Sequence, residues 1–416
     1  MYIATTRGAD AAAATPRSRR RPGRRVAGNV IALGAVSLVT DISSEMVTAI
    51  LPLYLVLGLG FSPLQFGILD GLYSGVTAFV RIIGGNFADR WQRRKLVAGI
   101  GYGVSAVAKL GLIGAGGSAT AMGLVLAADR TGKGVRTAPR DALISLSSTP
   151  ETLGRSFGVH RAMDTVGAFV GPLVAFLLLW LVAGGYDTVF FVSFCLAVLG
   201  VLLLVLFVKD RRQDLPERRA VSLRAAFGLL RDSRFRRLCV WAVVLGLVTV
   251  GDSFVYLLLQ KRLDIEPAYF AMLPLGTAGV YLLLAVPLGR LADRVGRWRV
   301  FVAGHVALLV AYVLLVGGAD GIVLLALSLL AHGAFYACTD GVLMAAAGPL
   351  LPERLRTSGM ALLQTGQAVA KLLSAVAFGA AWTWWGMHVA IATAVGGLAV
   401  VVLLAVLARP LREEAK

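Results

Sequence analysis

Asp41 and Glu45 stand four residues apart inside an apolar stretch, Asp41-Ile42-Ser43-Ser44-Glu45. On a helix that spacing puts both carboxyl groups on one face. Two acids close together and away from water resist double ionisation, so a proton can be held or released near neutral pH. Arg130 lies in another apolar stretch and is a candidate cation for the pair, with Asp41 as its expected partner. Ionisable groups in hydrocarbon are costly and mark function by default, so these three residues form the candidate proton-handling site. Further charges sit in apolar runs: Asp70, Arg81, Lys109, Asp164, Asp252, Asp340 and Lys371. Most buried charges are paired, so Arg81, Lys109 and Lys371 are expected first to neutralise acids and second to attract an anionic solute. With the acids Asp70, Asp252 and Asp340 and with Tyr73, Tyr256, Tyr336, Gln364 and Gln367, they are the candidates for lining a solute cavity.

The segment Arg130-Thr131-Gly132-Lys133-Gly134-Val135-Arg136-Thr137-Ala138-Pro139-Arg140-Asp141 is dense in charge and glycine. It lacks the spacing and the preceding strand of a phosphate-binding loop. Arg136, Arg140 and Asp141, together with His160, Arg161 and Asp164, are expected to form an ion network at the cytoplasmic side. Cys195, Cys239 and Cys338 are scattered, with no spacing that would hold a metal, so no metal site is expected. No nucleophile–base cluster is visible either, and the chain does not read as an enzyme.

The elements that must carry these residues are membrane helices. Of 416 residues, 57% are hydrophobic and 15% charged, and mean hydropathy is +0.77. A soluble domain is about 25% charged, so a soluble enzyme, a disordered chain and a disulfide scaffold are all excluded. Twelve stretches are long enough to cross a bilayer: roughly 29–57, 64–88, 95–115, 119–137, 157–181, 187–208, 237–260, 267–290, 299–317, 321–346, 357–381 and 386–408. The charge-free run 372–408 is too long for one crossing, and its turn is expected at Thr383-Trp384-Trp385-Gly386. The net charge of +18 would suggest nucleic acid in a soluble protein. Here nearly all Lys and Arg fall on one side of the spans, which makes them an orientation signal that puts both termini in the cytoplasm. No nucleic-acid partner is expected. The Ala- and Arg-rich tail 1–27 reads as a disordered cytoplasmic arm.

The sequence repeats itself. Gly85-xxx-Asp89-Arg90-xx-Arg93 recurs 204 residues later as Gly289-xxx-Asp293-Arg294-xx-Arg297. Pro63 and Phe66 recur as Pro267 and Phe270, and Asp252 lies in the span that corresponds to the one holding Asp41. The expected organisation is therefore an N-terminal six-helix bundle at 28–208, a cytoplasmic linker at 209–236, a C-terminal bundle at 237–408 and a tail at 409–416. Two similar bundles can rock about a shared site near the bilayer midplane.

On these residues the chain resembles the major facilitator superfamily (MFS). Gly85-Asn86-Phe87-Ala88-Asp89-Arg90-Trp91-Gln92-Arg93-Arg94 is similar to the superfamily's loop signature G-x-L-A-D-R-x-G-R-R, and the copy from Gly289 to Arg297 is closer still. The resemblance implies an all-α fold of twelve transmembrane helices in two pseudo-symmetric bundles. It also implies a gating latch at Gly85, Asp89, Arg90 and Arg93 and at Gly289, Asp293, Arg294 and Arg297. Leu126-xxx-Arg130 and Gly167-xxx-Gly171-Pro172 resemble antiporter motifs, with Lys133 and Ala175-Phe176 replacing family residues. The expected function is alternating-access transport of a small solute, as proton-coupled efflux across a bacterial-type inner membrane. The proton gradient would be the energy source, no cofactor would be needed, and the chain would act as a monomer in lipid. A proton symporter or facilitator for nutrient uptake is the alternative within transport. A receptor built on the same scaffold is the alternative outside it.

Overall fold

The structure, a computed structural model, describes residues 26–91, 93–149, 152–210 and 227–408, with the backbone alone at 77–79, 81–91, 354 and 357. Most of the N-terminal tail, the middle of the linker and the tail from 409 onward lie outside the described residues. So do the side chains of Arg81, Asp89 and Arg90 and the surroundings of Gly85.

The first half contains α1 (Gly28–Leu53), α2 (Pro63–Trp91), α3 (Arg94–Gly114), α4 (Ala119–Leu146), α5 (Leu153–Leu181) and α6 (Tyr186–Phe207). The second half contains α7 (Ser233–Leu247), α8 (Asp252–Leu263), α9 (Leu273–Val295), α10 (Arg297–Val316), α11 (Gly321–Thr339), α12 (Val342–Ala347), α13 (Arg356–Trp385) and α14 (Met387–Ala408). No strand occurs among the described residues.

Local chemistry sets the boundaries. Ser118 caps α4 by accepting from Ala121 N at 3.3 Å, and Asp232 caps α7 by accepting from Arg234 N and Phe235 N. Gly296 at φ +105° separates α9 from α10, and Gly386 at φ +84° breaks the long apolar run between α13 and α14. Arg262 closes the C-terminal end of α10 by donating to Leu315 O at 2.6 Å and Gly317 O at 2.9 Å.

Ten segments among the described residues are long and apolar enough to cross a membrane. α2 and α4, at 29 and 28 residues, have the length as well. α4 fails on composition because its polar face is turned into the bundle, where Asp129, Arg130 and Arg136 are buried. Leu206, Leu283, Ile322 and Leu407 are among the large apolar side chains left on the outside, as a lipid surround requires.

The sequence repeat is also a packing repeat. α1 packs on α5, α2 and α3 each pack on α4, and α3 packs on α6. In the same way α7 packs on α13, α9 and α10 each pack on α11, and α10 packs on α14. The halves join mainly through α2 and α13, with α5 against the one-turn helix Pro267–Phe270. Phe66 meets Phe254 edge-on, with ring centroids 4.8 Å apart, and Phe254 in turn meets Phe378 and Trp382. Leu64 N donates to Thr383 Oγ1 at 2.9 Å. These contacts all lie at the end of the bundle that carries the α1–α2 turn.

Two expected spans are interrupted. The span read at 237–260 unwinds at 248–251, between α7 and α8, and the one read at 321–346 breaks at Asp340 and Gly341, between α11 and α12. The first gap is supported from both sides. Tyr312 OH accepts from Val250 N at 2.8 Å, and Ser374 Oγ donates to Thr249 O at 2.7 Å. Irregular backbone at membrane depth is tolerated where it is buried in protein or borders a cavity.

Candidate functional site

In the first half, α1 and α5 meet through glycine. A methyl group at Gly167 would stand 2.5 Å from Leu38 O, and one at Gly171 would stand 2.8 Å from Ile42 O, so only glycine lets α5 lie this close to α1. Pro172 is buried beside them. The close approach sets Asp164 of α5 against Asp41 of α1, with their carboxyl groups within reach of a hydrogen bond. Such a bond needs one proton shared between two acids.

α4 lines its basic residues along this seam. Lys133 Nζ lies 3.7 Å from Glu45 Oε1, and Arg136 Nη2 lies 3.8 Å from Asp41 Oδ1. Arg140 is bonded to Asp141 at 3.0 Å and reaches Asp164 at 3.9 Å, while Arg161 lies 3.5 Å from Asp164. His160 Nε2 is 2.9 Å from Ser37 Oγ. The residues expected as an ion network therefore do cluster, except that Arg136 turns to Asp41 and to the face of Tyr102.

The expected pairing of Arg130 with Asp41 is not observed. Arg130 binds its own sequence neighbour, with Nη2 2.6 Å from Asp129 Oδ2, and its guanidinium sits 3.8 Å above the ring of Tyr73. Asp129 also takes Lys109 Nζ at 3.0 Å and the Ser105 hydroxyl. Lys109 is thus locked between α3 and α4. Asp41 and Glu45 each face a different cation of α4, and the acid that α5 brings to Asp41 is Asp164. Asp129 and Ser105 were not singled out from the sequence. A carboxylate beside Arg130 within a span was the available signal.

The second half holds a cavity of about 200 Å³. It is bordered by α7, α8, α10, α11, α12 and α13, and both helix breaks open onto it. Asp252, the first residue of α8, accepts from Tyr336 OH at 2.5 Å and lies 3.3 Å from His332 Nε2 and 3.7 Å from Lys371 Nζ. A helix N-terminus favours such an anion. Gln367, Lys371, Tyr336 and Asp340 line the same space, together with Phe301, His305 and Phe335. Asp70 reaches this group from α2, accepting from Ser253 Oγ at 2.8 Å. Tyr73 sits with Asp70 in a smaller pocket between the halves. Tyr256 does not line the cavity; it is buried and donates to Thr277 Oγ1 at 3.0 Å. Gln364 is exposed and reaches only the sulfur of Met344.

Of the latch residues, Arg93 is exposed just before α3. In the second copy Asp293 is exposed and bonds Arg297 one turn on, at 3.1 Å, and Arg297 Nη1 donates to Ala345 O at 2.9 Å beside α12. Arg294 is exposed, and Gly289 faces open space instead of a close helix.

Two bundles of matching packing, apolar outside and with charged side chains buried within, define a multi-pass membrane protein. The Major Facilitator Superfamily pattern matches residues 33–279 and 253–416, and the chain belongs to that family. It is a membrane transporter of the MFS type. It is 27% identical over 372 residues to an uncharacterized MFS-type transporter of Methanocaldococcus jannaschii, covering 86% of this chain and 89% of that one. An uncharacterized protein of Mycobacterium tuberculosis is 33% identical over 159 residues, 38% of each chain. Among solved structures, a variant of the nucleoside transporter NupG superposes with a TM-score of 0.80 at 14% identity, over 91% of this chain and 99% of that one. A peptide transporter POT in complex with sulfate superposes at 0.74 and 16% identity, over 94% of this chain and 96% of that one. Likeness at these identities concerns the fold.

Proposed function

We propose that the chain exports a small polar solute in exchange for protons, and that it does so in a bacterial-type inner membrane with both termini in the cytoplasm. The observation that carries the reading is the close approach of Asp41 and Asp164, with Arg136 3.8 Å from Asp41. Two carboxyl groups sharing one proton, with a guanidinium at hand, form a device that changes charge by one when that proton leaves. The device sits where α1, α4 and α5 meet, so a change of charge alters how these helices attract one another. Export is the favoured direction because the glycines that create the α1–α5 contact, Gly167 and Gly171, are those of the antiporter-like motif. The solute would bind between the halves, against the cavity of the second half. Rocking about the α2–α13 contact would expose it to either side in turn.

The test is flux of candidate solutes in inverted membrane vesicles with an imposed pH gradient. Accumulation inside vesicles that are acid within supports exchange for protons. Accumulation only when the solute and proton gradients run the same way would point to symport instead.

A further inference from the structure

The geometry points to the cavity of the second half as a site for a small organic cation, one with a quaternary or protonated amine next to an apolar or aromatic body. This rests on the reading of the chain as a solute transporter and names the class of solute. Charge balance in the cavity sets the sign of the solute. Lys371 is the cation among the described residues that line the cavity, and Asp252 and Asp340 are the acids. Lys371 already has Asp252 at 3.7 Å, and Asp70 adds a second carboxylate to its surroundings from α2. An incoming anion would meet a lysine that is already more than balanced.

Asp340 is the carboxylate left over. It stands in the break between α11 and α12, lines the cavity and is exposed, and among the described residues its hydrogen bond is one of 3.4 Å from Tyr281 OH. The C-terminal end of α11, with its negative dipole, ends at the residue before it. Phe301 of α10 and Phe335 and Tyr336 of α11 line the same cavity, and aromatic rings suit a cation held at an acid. The histidines nearby have partners other than Asp340: His305 Nδ1 is bonded to Phe301 O at 2.9 Å, and His332 Nε2 lies 3.3 Å from Asp252. A compact alkyl- or aryl-ammonium ion matches this lining in sign, in shape and in size.

The experiment is calorimetric titration of the purified full-length chain with benzyltrimethylammonium, whose charge does not depend on pH, and with phenylacetate as the anion of similar shape. The expected result is saturable binding of the ammonium ion and none of phenylacetate. Asp340→Asn should weaken the ammonium ion at least about tenfold, and Asp340→Glu should keep most of the affinity, which separates charge from folding. No binding of the ammonium ion, preference for phenylacetate, or equal affinity in Asp340→Asn would each overturn the site. Asp41→Asn distinguishes the two readings. Loss of gradient-driven flux in Asp41→Asn concerns the coupling alone, whereas binding of the ammonium ion to the parent chain and its loss in Asp340→Asn concern the cavity alone.

Discussion

Asp70 of α2 and Ser253 of α8 belong to different halves of the molecule, and a 2.8 Å hydrogen bond joins their side chains. The bond lies at the end where Phe66, Phe254 and Phe378 interlock. It also ties the first half to the residue next to Asp252, and so to the cavity. Any motion that opens this end must break it.

Ser253→Ala should therefore favour the conformation open at this end. One hydrogen bond is worth about 1 kcal/mol, which shifts a two-state population about fivefold. Spin labels at Asp187 and Gly318, on opposite halves at that end, would read the shift as a longer distance component in pulsed electron resonance. An unchanged distance distribution would remove the bond from the gate.

The Asp129 cluster answers to a different test. Asp129→Asn leaves Lys109 and Arg130 buried with their shared anion gone, and breaking a buried pair costs about 3–5 kcal/mol. Asp141, whose side chain is 45% exposed, should cost under about 1 kcal/mol when changed to Asn. Thermal unfolding of the two purified variants against the parent chain decides. Similar melting temperatures for both would show that Asp129 is not the structural anchor of α3 and α4.

How much of this was legible beforehand differs from residue to residue. The two-bundle fold follows from hydropathy and from the repeat of Asp89 at Asp293, because length and lipid exposure act on whole segments. The packing of Gly167 and Gly171 was legible as a motif but not as the cause of the Asp41–Asp164 contact. Sequence spacing speaks of one helix at a time, so it related Asp41 to Glu45 and could not tell that α5 brings Asp164 closer. Arg130 was assigned to Asp41 for the same reason, while its partner was the adjacent residue. The breaks at 248–251 and at Asp340 carry little sequence signal, since Tyr312 and Ser374, which satisfy the first, are distant in the chain.

Gly289 offers a contrast with Gly167. A methyl group at Gly289 meets nothing within 4 Å in this conformation, whereas one at Gly167 collides with α1. Gly167→Ala should destabilise the protein by about 1–3 kcal/mol through overpacking. Gly289→Leu should leave thermal stability unchanged and yet slow transport if the latch closes against a neighbouring helix in the opposite state. Full transport by Gly289→Leu would show that no helix approaches Gly289 during the cycle.

The central claim is that the proton shared by Asp41 and Asp164 couples the gradient to movement of solute. The most direct measurement is solute flux in proteoliposomes, with and without a pH gradient, for the parent chain, Asp41→Asn and Asp164→Asn. The account predicts that both variants lose the stimulation by the gradient while still exchanging labelled for unlabelled solute at equal pH. Stimulation of the same size in either variant would contradict it.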